Sequence, residues 1–145
     1  GNIIPKIKIS ENTAKITNPH YKKLYRFYDN ESGKALADEL CVYDETIDST
    51  KPHTIFDPDA IWKTKTLTDY SVKELHVTVF KNGELVYKQP SLFEIKRYCA
   101  EQTETLWDEV KRFENPHTYY VDLSKKLWDI KNALLEKSKD GKNLQ

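Results

Sequence analysis

Thr105 to Leu135 reads TLWDEVKRFENPHTYYVDLSKKLWDIKNALL, and this stretch decides the fold. Two amphipathic helical patterns flank a compact break at Asn115-Pro116-His117, which is followed by an aromatic run and a helix start at Val121-Asp122-Leu123-Ser124. Proline cannot continue a helix and pushes the preceding residue out of helical backbone, so the first pattern must end at the break. Asp122 or Ser124 caps the second helix, and Leu123, Leu127, Ile130 and Leu134 fall on one of its faces. The polar residues after Lys137 predict a frayed end.

Upstream, Pro90-Ser91 opens the first of these helices, and Ser91 with Glu94 has capping-box spacing. Leu92, Ile95, Cys99, Leu106, Val110 and Phe113 recur at helical intervals and predict one buried stripe running to Asn115. Trp107 and Trp128 are expected to anchor the packing of the two helices. Lys81-Asn82-Gly83 separates Leu75–Phe80 from Glu84–Lys88, and Asn-Gly between strand-like runs is a strong hairpin signal. A second hairpin pairs Tyr21–Tyr28 with Ala35–Tyr43 across Asp29-Asn30-Glu31-Ser32-Gly33-Lys34. Asp44–His53 reads as a loop and Ile55–Asp59 as a short strand running into a turn. From Pro5 to Ile9 apolar and basic residues alternate as in a half-buried edge strand, after which Ser10 or Asn12 caps a short turn through Lys15. Strands come first and helices last. The fold class is α+β: antiparallel β-hairpins followed by two C-terminal amphipathic helices.

The 145 residues suffice for one domain with a real core. Lysine plus arginine number 23 and so do aspartate plus glutamate, so no excess charge points to nucleic acid or an anionic membrane surface. No apolar run approaches the roughly 18 residues that suggest a membrane helix. Cys41 and Cys99 are far apart and lack metal spacing, which suits two reduced cysteines set in apolar faces. No signal-like segment precedes the first charges, and the cytoplasm is the expected compartment.

Chemistry-bearing patterns are sparse. Four separated glycines build no phosphate loop, and Gly33-Lys34 lacks both the upstream glycine and the following hydroxyl, so it reads as a hairpin turn. His20, His53, His76 and His117 are scattered, with no nucleophile or carboxylate at catalytic spacing. Asp57/Asp59 suits a turn around Pro58, and Asp108/Glu109 suits the outer face of a helix; neither pair predicts a metal. Tyr21, Tyr25, Phe27 and Tyr28 interleave with Lys22, Lys23 and Arg26, a string shared by nucleic-acid platforms and half-buried strands. At zero net charge the strand is the better reading. No catalytic residue and no metal ligand is assigned.

The segment from Asn115 to Lys131, NPHTYYVDLSKKLWDIK, resembles the NPH-x-Y-x-VDLS-x-x-LW-x-I/L-K signature that ends bacterial nicotinate phosphoribosyltransferases. Ile7-Lys8-Ile9-Ser10-Glu11-Asn12 followed by Lys15-Ile16-Thr17-Asn18-Pro19 resembles a second segment of that family, and Phe56-Asp57-Pro58 and Leu75–Leu92 also match its style. The likeness covers about Ile7 to Leu135. It implies a C-terminal fragment of an enzyme that joins nicotinate to phosphoribosyl diphosphate with ATP hydrolysis, giving nicotinate mononucleotide. In that family the active site, with its phosphorylated histidine, lies in an upstream barrel completed at a dimer interface, and nothing in this chain matches that histidine's surroundings.

The resemblance therefore implies a fragment that is inactive alone. It carries no cofactor of its own, while the parent uses ATP and Mg²⁺; its partner is the barrel and N-terminal region of a homodimer. Residues 1–20 would join the barrel and residues 21–145 would form the C-terminal domain. Lys6, Lys8 and Ser10 become candidate contacts to substrate phosphate, because two lysines beside a hydroxyl suit an anion. The alternative is a self-contained binding or assembly module. The chain opens on Gly1-Asn2 and contains no methionine, which fits removal of an initiator or excision from a longer protein; the resemblance favours excision. One departure is His20, where the family usually has glycine after TNP, which puts left-handed backbone there in doubt.

Overall fold

A tight turn sets the first strand pair. The amide and hydroxyl of Ser32 donate to Asp29 Oδ2 at 2.8 and 2.5 Å, and the Gly33 amide donates to Asp29 O at 2.8 Å. Gly33 takes φ +69°, a conformation that suits glycine. The turn joins β1 (Lys22–Asp29) to β2 (Ala35–Val42) as the expected antiparallel hairpin, with Arg26 opposite Asp38 and Phe27 opposite Ala37. In this computed structural model, which describes residues 2–142, the other elements are β3 (His53–Asp57), β4 (Ala60–Leu67), β5 (Tyr70–Glu74), β6 (Phe80–Lys81), β7 (Glu84–Leu85), α1 (Leu92–Glu104), α2 (Asp108–Lys111), β8 (Val121–Leu123) and α3 (Lys125–Lys142). The class is α+β, with hairpins first and the helices toward the end of the chain.

One sheet has the order β5-β1-β2-β8, with β5 antiparallel to β1 and β8 parallel to β2. Alternation along β1 and β2 gives this sheet two faces. On one, Phe27 and Ala37 meet Ile55, Leu67 and Tyr70 from the β3–β4 hairpin and β5, forming the larger core. The Phe27 ring stacks on His53 at 5.1 Å and meets Tyr70 edge-on at 5.4 Å. On the other, Val42 and Leu123 meet Leu127 of α3. Burying Phe27 and Leu127 completely contributes about 1.5–3 kcal/mol each. The loop before β3 is pinned by Tyr70, whose hydroxyl donates to Asp48 O and Lys51 O, and by Tyr25, which donates to Glu45 O.

Several expectations are corrected. Pro5–Ile9 forms no strand, because its only regular pairing is with Thr17: Lys8 N donates to Thr17 Oγ1 and Thr17 N donates to Lys8 O. The turn that follows is present, with Asn12 capping Thr13–Lys15. Leu75–Phe80 is strand only at Phe80; the Asn82-Gly83 hairpin exists, with both residues left-handed (φ 51° and 82°), but it holds two residue pairs. β4 and β5 had no clear sequence signal, since β4 buries only its ends, Ala60 and Leu67.

The single helix expected from Ser91 to Asn115 is two. Lys34 donates to Glu104 O and Leu106 O, and Ala35 N donates to Thr105 O, so the carbonyls that would continue α1 are bonded elsewhere. Val121-Asp122-Leu123 is not a helix start but the strand β8, since the edge of β2 accepts it; Ser124 is the cap, accepting the Leu127 amide at 3.2 Å. α3 then runs past Lys137 to Lys142. Trp128 stands edge-on to Phe56 and donates to Pro58 O, so it ties α3 to β3.

Candidate functional site

Lys6 and Lys8 lie exposed outside any helix or strand, and Ser10 is half-buried with its Oγ accepting the Asn12 amide at 3.3 Å. The structure brings Lys8 beside Thr17 but does not gather Lys6, Lys8 and Ser10 around a groove. The chain that follows is better fixed: Pro19 is fully buried, and Lys131 of α3 donates to Asn18 Oδ1 at 2.9 Å. Thr13, Ile16 and Asn18 line a groove of about 490 Å³ together with Leu40, Trp128 and Lys131.

His20 adopts φ +75°, so the left-handed backbone is kept without glycine. Its Nδ1 accepts the Tyr21 amide at 2.9 Å, its ring stacks on Tyr43 at 5.9 Å, and its carbonyl accepts Lys22 Nζ at 2.6 Å. These contacts hold a conformation that costs an L side chain roughly 1–2 kcal/mol.

Two buried polar clusters occupy opposite faces of the sheet. On one, Arg26 Nε and Nη2 donate to the two oxygens of Asp38 at 2.7 and 2.8 Å, and Tyr119 OH donates to Asp38 Oδ1 at 2.9 Å. Asp38 is the stronger influence on Arg26, whose affinity for its proton rises; burial, then Asp38, raises that of Tyr119. On the other, His53 Nε2 pairs with Glu39 Oε2 at 2.5 Å, and Glu39 lies opposite Asp122 in the β2–β8 ladder. Burial, reinforced by Asp57 and Glu39, pushes the Asp122 carboxyl up to about 6. Beside it, Glu45 Oε2 accepts the Val42 amide and the Ser124 hydroxyl.

Chemically these clusters fix strands. Arg26, Asp38 and Tyr119 satisfy one another, and among the described residues no hydroxyl or thiol is hydrogen-bonded to His53. Asp57 Oδ1 accepts the Asp59 amide, the local turn bond expected of it. Cys41 is buried, and desolvation raises its thiol; Cys99, expected in an apolar face, is exposed on α1. Tyr25 and Phe27 are buried, so the interleaved aromatic string is the half-buried strand β1. Sequence reading missed the Arg26–Asp38 pair, although the length of the Asp29–Lys34 turn places the two residues opposite.

The α1 stripe is not buried. Every residue from Ser91 to Glu101 is exposed, with Leu92 at 76% and Phe93 at 84%. Ile95, Tyr98 and Cys99 form one side of a second groove of about 670 Å³, whose floor carries Arg26, Asp38 and Val121.

Residues 21–131 match the family model described as the nicotinate phosphoribosyltransferase C-terminal domain. The chain belongs to this family. The chain is 34% identical over 131 residues to nicotinate phosphoribosyltransferase of Bacillus subtilis (strain 168), covering 90% of this chain and 27% of the relative. It is 32% identical over 138 residues to the Dictyostelium discoideum enzyme of that name and 31% over 132 residues to that of Caenorhabditis elegans, covering 90% of this chain and 23% of each. Its fold is similar to the crystal structure of human nicotinic acid phosphoribosyltransferase, with a TM-score of 0.73 and 25% identity over 82% of this chain and 24% of that one. The domain thus spans about a quarter of the length of the curated relatives it matches. Among the described residues no helix is long and apolar enough to cross a membrane.

Proposed function

We propose that this domain serves as the C-terminal part of an enzyme that joins nicotinate to phosphoribosyl diphosphate, giving nicotinate mononucleotide with ATP hydrolysis. The observation that carries this is the match of residues 21–131 to a domain that makes up only a quarter of relatives bearing that name. ATP, Mg²⁺ and the reacting groups belong to the upstream portion, the assembly is a cytoplasmic homodimer, and residues 1–20 lead from the catalytic barrel into the domain. Consistent with a structural part, Arg26, Asp38 and Tyr119 are occupied with one another.

Lys6, Lys8 and Ser10 are the groups of this chain closest to a substrate role. Exposed lysines two residues apart, just ahead of the fixed turn at Thr13–Lys15, suit the charge of a phosphate. The test is turnover of nicotinate and phosphoribosyl diphosphate by the longer protein and by the 145-residue chain. The longer protein is expected to form nicotinate mononucleotide and the chain alone is not; turnover by the chain alone overturns the reading. Lys6→Ala and Lys8→Ala in the longer protein are expected to raise KM for phosphoribosyl diphosphate, and an unchanged KM removes them from the site.

A further inference from the structure

A helix of 13 residues does not hold together in water on its own propensity; it needs an apolar face packed on something. α1 is well made at its start, where Ser91 Oγ accepts Glu94 N at 3.3 Å and Glu94 Oε2 accepts Ser91 N at 2.6 Å. It is held at its end by the Lys34 and Ala35 bonds to Glu104, Leu106 and Thr105. From Ser91 to Glu101 nothing among the described residues covers it, although Leu92, Ile95 and Cys99 keep the spacing of a buried face. The preceding hairpin is in the same condition. β6 and β7 contribute two residues each, too few for a free-standing hairpin, and Phe80, Leu85 and Val86 are more than half exposed. Two elements of good local design, adjacent in sequence, are thus each missing their cover.

We propose that α1 and the β6–β7 hairpin form the surface on which the upstream three quarters of the enzyme docks. The occupant is chosen by length: relatives extend to about four times the span matched here, and what they add is a covalently joined partner at high effective concentration. The second groove gives the contact its character. Its walls are apolar, from Leu75, Ile95 and Leu106, while the Arg26–Asp38 pair on its floor is already satisfied. The groove therefore takes apolar side chains rather than a charged ligand.

The inference rests on the proposed function in that it requires a longer chain, but its readout is separate from turnover. Cys99 is the probe, because it sits exposed on α1 while Cys41, the other cysteine here, is buried. Alkylation of Cys99, followed by peptide mass spectrometry, is compared between the 145-residue chain and the longer protein. Labelling is expected to slow by roughly tenfold or more in the longer protein, together with amide exchange across residues 92–104. Equal rates in a longer protein that turns over overturn the docking surface and leave the function intact; loss of turnover with slowed labelling does the reverse. Slow labelling in the short chain that quickens on dilution also overturns it, since a second copy is then the cover. Phe93→Asp supplies a second arm, expected to leave the melting of the short chain unchanged and to restore rapid Cys99 labelling in the longer protein.

Discussion

Arg26 and Asp38 face each other across β1 and β2 as a two-pronged ion pair, at 2.7 and 2.8 Å, and Tyr119 closes it from the segment leading into β8. The pair therefore links the first hairpin of the chain to the strand that completes the sheet.

Removing Asp38, the buried partner, leaves the half-buried Arg26 guanidinium uncompensated. Asp38→Ala is expected to cost about 3–5 kcal/mol, whereas Tyr119→Phe, which removes one bond to a charged acceptor, costs about 1.5–3 kcal/mol. Urea unfolding of the 145-residue chain measures both, and a loss for Asp38→Ala no larger than for Tyr119→Phe contradicts the assignment.

Asp122 gives stability a pH dependence of known sign. Its folded value, pushed up to about 6 by burial and then by Asp57 and Glu39, exceeds the ordinary 3.8, so the folded state holds this proton more tightly than the unfolded state. Stability from this group is complete below about 4, fades as pH rises toward 6, and is gone above it. Every tenfold gain in proton affinity on folding corresponds to roughly 1.4 kcal/mol. Asp122→Asn is thus expected to gain on the natural chain between pH 4 and 7.5. Parallel stability curves over that range refute the claim.

His20 reverses the usual ranking of alanine and glycine. His20→Gly relieves the left-handed strain but loses the stack on Tyr43, and the two roughly cancel. His20→Ala keeps the strain and loses the stack, so it should melt below His20→Gly by about 1 kcal/mol of stability. An alanine variant at least as stable as the glycine variant shows that the strain is relaxed in solution.

Two phenylalanines should differ sharply. Phe27 is completely buried between β3, β4 and β5, and its change to alanine is expected to cost about 3–5 kcal/mol. Phe93→Ala, on the open face of α1, should stay within about 0.5 kcal/mol in the same chain. Comparable losses mean that α1 is covered within the chain itself.

The legible parts of this fold are the local ones. Asp29 to Gly33, Asn82-Gly83 and the Ser91–Glu94 capping box announce themselves, because each is satisfied by atoms a few residues away. β8 does not, since Val-Asp-Leu before a serine cap looks the same whether it enters a helix or fills the edge of a distant strand. β4 does not, because Ile61 and Trp62 are exposed and no alternation marks its faces. The α1 stripe is real as a pattern, yet the burial it implies is not found among the described residues. The family signature is legible, being long and unusual in composition, whereas Lys6, Lys8 and Ser10 rest on resemblance and on charge, with no local geometry to define them.

The parallel pairing of β2 with β8 sets an order of assembly. Leu40 meets Leu123, and Val42 stays uncovered until Leu123 and Leu127 have left the ribosome. During synthesis the first hairpin must therefore wait, with one edge and part of one face open, while the β3–β4 hairpin, β5 and α1 emerge. Long-range parallel contacts of this kind close slowly and leave strand edges vulnerable to wrong partners in the interval. Closure of β8 on β2 is thus expected to be a late step in the folding of this sheet.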